Sequence, residues 1–198
     1  MSKSQGVAMS AIKLTDHERA YLLGLARQTI QRAVSGEEFP VIQETDLTPA
    51  LRAPGASFVT LTKHGDLRGC IGALEAYQPL AYDVREHAAA AALEDYRFTP
   101  VKPDEVSSIQ IEISRLTPPQ KIDYDSPEKL PGFIRPGIDG VILRDNYRRA
   151  TFLPQVWEKL PEPEQFLSHL CQKMGAPSDL WKRKLLQVWV YQVEEFHE

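Results

Sequence analysis

The residues best suited to chemistry stand together in Leu67-Arg68-Gly69-Cys70-Ile71-Gly72. In a strand, side chains two apart share a face, so Arg68 and Cys70 point one way and Leu67, Gly69 and Ile71 the other. A thiol reacts as its thiolate, and a neighbouring guanidinium favours that form. Arg68 also offers a planar fork of donors suited to a carboxylate or phosphate. Gly69 and Gly72 carry no side chain, so a ligand or another backbone can approach closely. The segment reads as a nucleophile or redox centre, Cys70, with Arg68 holding an anion between two glycines. The plainer alternative is a packed, inert thiol, because free cysteine is among the most buried residue types.

Other groups are candidates to assist. Thr151 and Gln155 flank Pro154 where a strand passes into a helix, and free amides at a helix start favour anions. Arg148 or Arg149 would help hold a phosphate or carboxylate there. The competing reading is a structural corner filled by Phe152, Leu153 and Trp157. His169 and Lys173 lie four apart and share one helix face; Cys171 lies away from it. His169 orients or deprotonates a group if its face meets Cys70, and otherwise is a surface residue. Arg135, Arg144, Arg148 and Arg149 around Tyr147 form one basic cluster, and Lys182-Arg183-Lys184 beside Trp181 a second. Basic side chains with aromatics bind single-stranded nucleic acid, although a solvated charged face also explains them. The two cysteines and five histidines are scattered without metal-ligand spacing, so no metal is expected. Phosphate-binding glycine patterns and a serine elbow are missing, and no cofactor is expected.

The elements that must position these residues follow from periodicity. Residues 1–14 read as a loose arm. Thr15 and Glu18 form a capping box ahead of Leu22, Leu23, Ala26, Ile30, Ala33 and Val34 at helical spacing, and Gly36 closes that helix. Ser57–Lys63 and Leu67–Ile71 predict a hairpin around His64-Gly65-Asp66. Pro79–Leu93 is a second helix, whose alanines permit close packing. Ser108–Ser114 alternates as a half-buried strand, and Pro118-Pro119 ends it. Ser126-Pro127 begins a short helical turn. Strands are expected at Gly140–Leu143 and Arg149–Leu153, helices at Pro154–Leu160 and Pro163–Met174, and a final strand at Leu186–Val193. This order lacks strict βαβ alternation. It predicts an α+β fold, an antiparallel sheet flanked by helices, with a smaller α+β subdomain before the last strand. The expected division is 15–124 with 184–198 as the main part and 125–183 as the smaller.

With 198 residues, 42% hydrophobic and 25% charged, the chain is of ordinary globular composition. Its net charge of −4 argues against a general nucleic-acid or anionic-membrane binder. No run of ~18 apolar residues occurs, so no membrane span is expected. The N-terminus lacks a secretory apolar core, and only two cysteines occur; the expected location is the cytoplasm.

The hexapeptide, preceded by Phe58-Val59-Thr60-Leu61, resembles the AMMECR domain family, named for the AMME syndrome candidate gene product. Further blocks match: Glu94-Asp95 with Arg97-Phe98, Leu116-Thr117-Pro118-Pro119, Asp139-Gly140-Val141, Thr151-Phe152-Leu153-Pro154-Gln155-Val156-Trp157, and His169-Leu170-Cys171 with Lys173. The similarity covers about residues 15–196. Tyr96 departs from it, standing where proline is expected. The resemblance implies a two-part α+β protein with the cysteine motif near the junction. It also implies a modification pathway shared with the Memo-type and radical-SAM proteins beside which such proteins are encoded. It names no step.

Two functional classes remain open. In one, a cleft at Cys70 processes a small anionic molecule or nucleotide. In the other, the chain is a binding module without chemistry, for RNA, a nucleotide or a partner protein.

Overall fold

The computed structural model describes residues 13–198. Residues 1–12 of the expected arm lie outside the described residues, and Leu14 is buried in a core rather than loose. The chain forms two compact units. One runs to Ile113 and takes back Phe196–Glu198; the other is Ser114–Glu195. Each has its own hydrophobic core. Among the described residues no helix is long and apolar enough to cross a membrane.

In the first unit, helix α1 (Asp16–Val34) starts at the expected capping box. The Glu18 amide donates to Thr15 Oγ1 at 3.3 Å, and the Thr15 amide to Glu18 Oε2 at 2.7 Å. Leu22, Ala26 and Ile30 are fully buried at helical spacing. After the short α2 (Pro49–Arg52), β1 (Pro54–Lys63) and β2 (Asp66–Gly72) form the antiparallel hairpin. His64 and Gly65 both take positive φ, as a tight hairpin turn of the right twist requires. β3 (Gln78–Pro79) pairs with the start of β1 and leads into α3 (Leu80–Leu93). The helix packs on β1 and β2, burying Ala88, Ala91 and Ala92. Small side chains let helix and sheet come close. At Gly69 an added Cβ would lie 2.1 Å from the Ala91 carbonyl oxygen. β4 (Ile109–Leu116) follows, with Ile109, Ile111 and Ile113 buried. The sheet order is β2-β1-β4 and then the last strand, β9 (Val193–His197).

The second unit holds a four-stranded sheet of β5 (Gln120–Ile122), β6 (Gly140–Asp145), β7 (Arg148–Phe152) and β8 (Gln187–Tyr191), ordered β5-β8-β6-β7. Its ladders are antiparallel, giving with the first unit the predicted α+β fold. α4 (Pro163–Lys173) buries Phe166, Leu167, Leu170 and Cys171, and α5 (Leu180–Arg183) buries Trp181. Trp157 stacks on Phe166 at 3.8 Å between ring centroids.

The single final strand expected at Leu186–Val193 is two strands, parted at Gln192. There Thr117 accepts the Gln192 amide on Oγ1 at 2.8 Å and donates its own amide to the Gln192 carbonyl at 2.8 Å. β8 is bonded to β5 and β6, so both outer segments go with the second unit. That unit therefore begins at Ser114 rather than at residue 125.

Two glycines test this packing with opposite signs. Gly69→Ala drives a methyl into backbone and is expected to destabilise the protein by about 3 kcal/mol. Gly24→Ala, on the exposed side of α1 with nothing within 4 Å of the added Cβ, is expected to stabilise it by about 0.5–1 kcal/mol. Urea midpoints read both.

Candidate functional site

Gly69 faces α3, so alternation turns Cys70 to the opposite face of the sheet. Cys70 stands across from Thr60 in the register. Phe58, Thr60 and Thr62 share that face and are half-buried, whereas Val59 and Leu61 on the helix side are fully buried. The thiol itself is half-buried, and the Thr60 hydroxyl donates to Sγ at 3.4 Å.

β2 is an edge strand, and every second residue of an edge turns its amide and carbonyl away from the neighbouring strand. At Cys70 both are held by the turn that ends α3. The Cys70 amide donates to Asp95 Oδ2 at 2.8 Å, and Arg97 Nη2 donates to the Cys70 carbonyl at 3.3 Å. Arg97 also grips Asp95 through Nε at 2.9 Å and Nη2 at 2.6 Å. The Arg97 bond, with help from the Cys70 and Arg97 amides, holds the Asp95 carboxyl well below the usual carboxylate range. Asp95 in turn holds the Arg97 guanidinium above its ordinary value. The Asp95 side chain is 2% exposed and that of Arg97 is 44% exposed. Arg97 Nη1 makes no hydrogen bond among the described residues.

Arg68 does not play the part its spacing indicated. Leu61 pairs with Gly69 and Thr62 with Leu67, so Arg68 is the extra residue of a β-bulge. Its guanidinium donates to Glu105 Oε2 at 3.1 Å and to the Thr99 carbonyl at 2.8 Å. Lys63 joins the same carboxylate at 2.9 Å. These bonds, Arg68's first, draw the Glu105 carboxyl down to about 2. Arg68 is thus a brace between β2 and the 3-10 turn Pro103–Ser108. The room at the glycines is also taken by protein. The Ala91 carbonyl fills it at Gly69. At Gly72 an added Cβ would lie 2.4 Å from both the Ser57 carbonyl oxygen and the Phe58 ring.

The remaining candidates lie in the second unit. His169 Nδ1 donates to the Gln165 carbonyl of its own helix at 2.9 Å, on an exposed face. Thr151 shares a 3.0 Å hydroxyl contact with Tyr191. The Gln155 side-chain amide donates through Nε2 to Glu195 Oε1 at 3.1 Å. Arg148 donates to the Gly175 carbonyl at 3.1 Å, and Arg149 pairs with Arg144 in the β6–β7 register. These five residues engage five different partners. Cys171 is fully buried, and burial pushes its thiol up.

The groups missed by spacing are Thr60, Asp95 and Arg97. A cross-strand partner of Cys70 is legible only once the hairpin register is known. Asp95 and Arg97 sit in a turn, where no periodicity marks them.

The AMMECR1 family model matches residues 23–196. The chain belongs to the AMMECR1 family. Similar AMMECR1 proteins include one from Methanothermobacter thermautotrophicus, 38% identical over 191 residues and covering 96% of this chain and 99% of its own. Protein MJ0810 of Methanocaldococcus jannaschii is 33% identical over 192 residues, covering 93% and 92%. The crystal structure of protein PH0010 from Pyrococcus horikoshii shares 34% identity with a TM-score of 0.70, covering 90% of both chains. The AMMECR1 match thus takes in both units, and with them both Cys70 and its Asp95–Arg97 turn.

The Glu105 brace predicts an acid dependence. Its carboxyl sits at about 2 against an ordinary 4.5, so its contribution to stability is complete above about 4.5 and is lost as pH falls toward 2. Between pH 5 and pH 3 the melting temperature of Glu105→Gln is expected to fall less steeply than that of the unaltered protein. Parallel curves would show that Glu105 carries no such linkage.

Proposed function

We propose that Cys70 is the reacting group of a site that processes a small anionic molecule, a nucleotide included, and that Arg97 holds the anion. The observation that carries this is a half-buried cysteine whose main chain is held by a guanidinium with an unused nitrogen and by the buried carboxylate that grips that guanidinium. Thiolate is the nucleophilic form. Its lone pair forms the bond to an electrophilic carbon of the substrate, the leaving group departs with its electron pair, and the thiol proton passes to solvent. Thr60 stabilises sulfur as a hydrogen-bond donor. Tyr96, 94% exposed next to Arg97, offers a flat surface on which a base can stack.

The family resemblance supports a role in a modification pathway shared with Memo-type and radical-SAM proteins. The alternative of an RNA-binding module is less well supported by the basic cluster nearest Trp181. Lys182 pairs with Glu164, Arg183 with Asp179, and Lys184 with Asp145.

Alkylation by iodoacetamide, followed by mass spectrometry, tests the reading. Cys70 is expected to label in the folded protein and Cys171 only after unfolding. Arg97→Gln is expected to slow labelling at Cys70 about threefold by removing the neighbouring cation. Equal resistance of both thiols in the folded state would contradict the proposal.

A further inference from the structure

We propose that the second unit carries a docking groove for a basic, extended peptide segment of a partner protein. This goes beyond the Cys70 reading and rests on different residues.

The groove has a volume of about 720 Å³, inside the ~300–1,000 Å³ typical of ligand clefts. Its lining includes Pro154, Gln155 and Trp157, from a stretch that the sequence singled out and the thiol site does not use, and the loop Pro136-Gly137-Ile138 just before Asp139. The Asp139 side chain, 1% exposed, accepts the Arg135 amide at 2.9 Å, Nε at 3.0 Å and Nη2 at 2.7 Å. The Asp139 carbonyl accepts the Trp157 indole N–H at 2.7 Å. These bonds lock the loop Pro136-Gly137-Ile138 to the tryptophan beneath it, so one wall is preformed. The other wall is the turn Pro154–Glu158 with Gln192, Val193 and Glu195. A preformed wall spares a ligand the ordering of that wall on binding.

Electrostatics select the occupant. Among the described residues, Glu158 and Glu195 are the charged groups that line the groove. Gln155 engages one oxygen of Glu195. The Glu158 carboxylate makes no hydrogen bond among the described residues. Arg135, which directly precedes the lining loop, is paired with Asp139. An anion would meet two carboxylates, and a purely apolar segment would desolvate them without a partner. Lysine or arginine satisfies both, and its aliphatic stem lies along Ile138, which is 49% exposed, and the prolines of the rim. The groove is open rather than enclosed, which suits a chain segment more than a small metabolite.

Fluorescence anisotropy of the full chain with two labelled octapeptides tests this, one alternating arginine and valine, the other glutamate and valine. Saturable binding of the basic peptide only is expected, weakened by added salt. The double variant Glu158→Gln/Glu195→Gln should weaken it about tenfold, and Cys70→Ser should leave it unchanged. Pro161→Arg sets a cation on the rim without touching either carboxylate and should also weaken it. Binding of both peptides alike, no binding by the unaltered protein, or full binding by the double variant would overturn the proposal. Dimerisation that the double variant loses would assign the groove to a second copy of the chain and overturn it as well.

Discussion

The outer edge of β2 depends on how the Cys70 main chain is satisfied. An edge strand presents unpaired amides and carbonyls, which are costly to bury and prone to capture other strands. Asp95 and Arg97 close this edge at one residue, taking its amide and its carbonyl with one ion pair. Because the carboxylate is buried and charged, the bonds it accepts are stronger than neutral ones. The same pair that finishes the sheet therefore sets a guanidinium beside the thiol. Fold and candidate chemistry share one device.

The sheet divides two kinds of surface. On the helix side, alanines and Gly69 let α3 approach closely, but small apolar side chains specify its lateral position weakly. A polar network supplies that position. Ser57 donates to Asp83 Oδ2 at 2.6 Å, and His87 Nδ1 lies 3.2 Å from the same oxygen. Ser57 and Asp83 are fully buried, and Asp83 Oδ1 has no hydrogen-bond partner among the described residues. That orphaned oxygen opposes folding, and the apolar burial around it outweighs it. On the other side, Thr60 and Cys70 stand half-buried, as a reacting group needs.

Much of this was legible in the residues. The capping box at Thr15, the hairpin around His64-Gly65 and the alternation of Ile109, Ile111 and Ile113 are local signals, and local geometry obeys them. The facing of Cys70 away from Gly69 also follows from period two. The role of Arg68 was not legible, because strict alternation cannot anticipate the bulge between Leu61 and Thr62. Gly69 and Gly72 announce close approach, yet a glycine cannot say whether a ligand or a carbonyl fills the room. Gln192 divides two strands through bonds to Thr117, a contact 75 residues away in sequence. Arg97 escaped for the same reason, since its partner strand lies 27 residues earlier.

The most direct measurement is hydrogen exchange at the Cys70 amide, in the unaltered protein and in Asp95→Ala. A carboxylate-held amide on an otherwise bare edge should exchange slowly, and removal of the carboxylate should speed it by orders of magnitude while amides of β4 stay protected. Rapid exchange in the unaltered protein, or protection that survives Asp95→Ala, would contradict the claim that Asp95 and Arg97 hold the thiol in place.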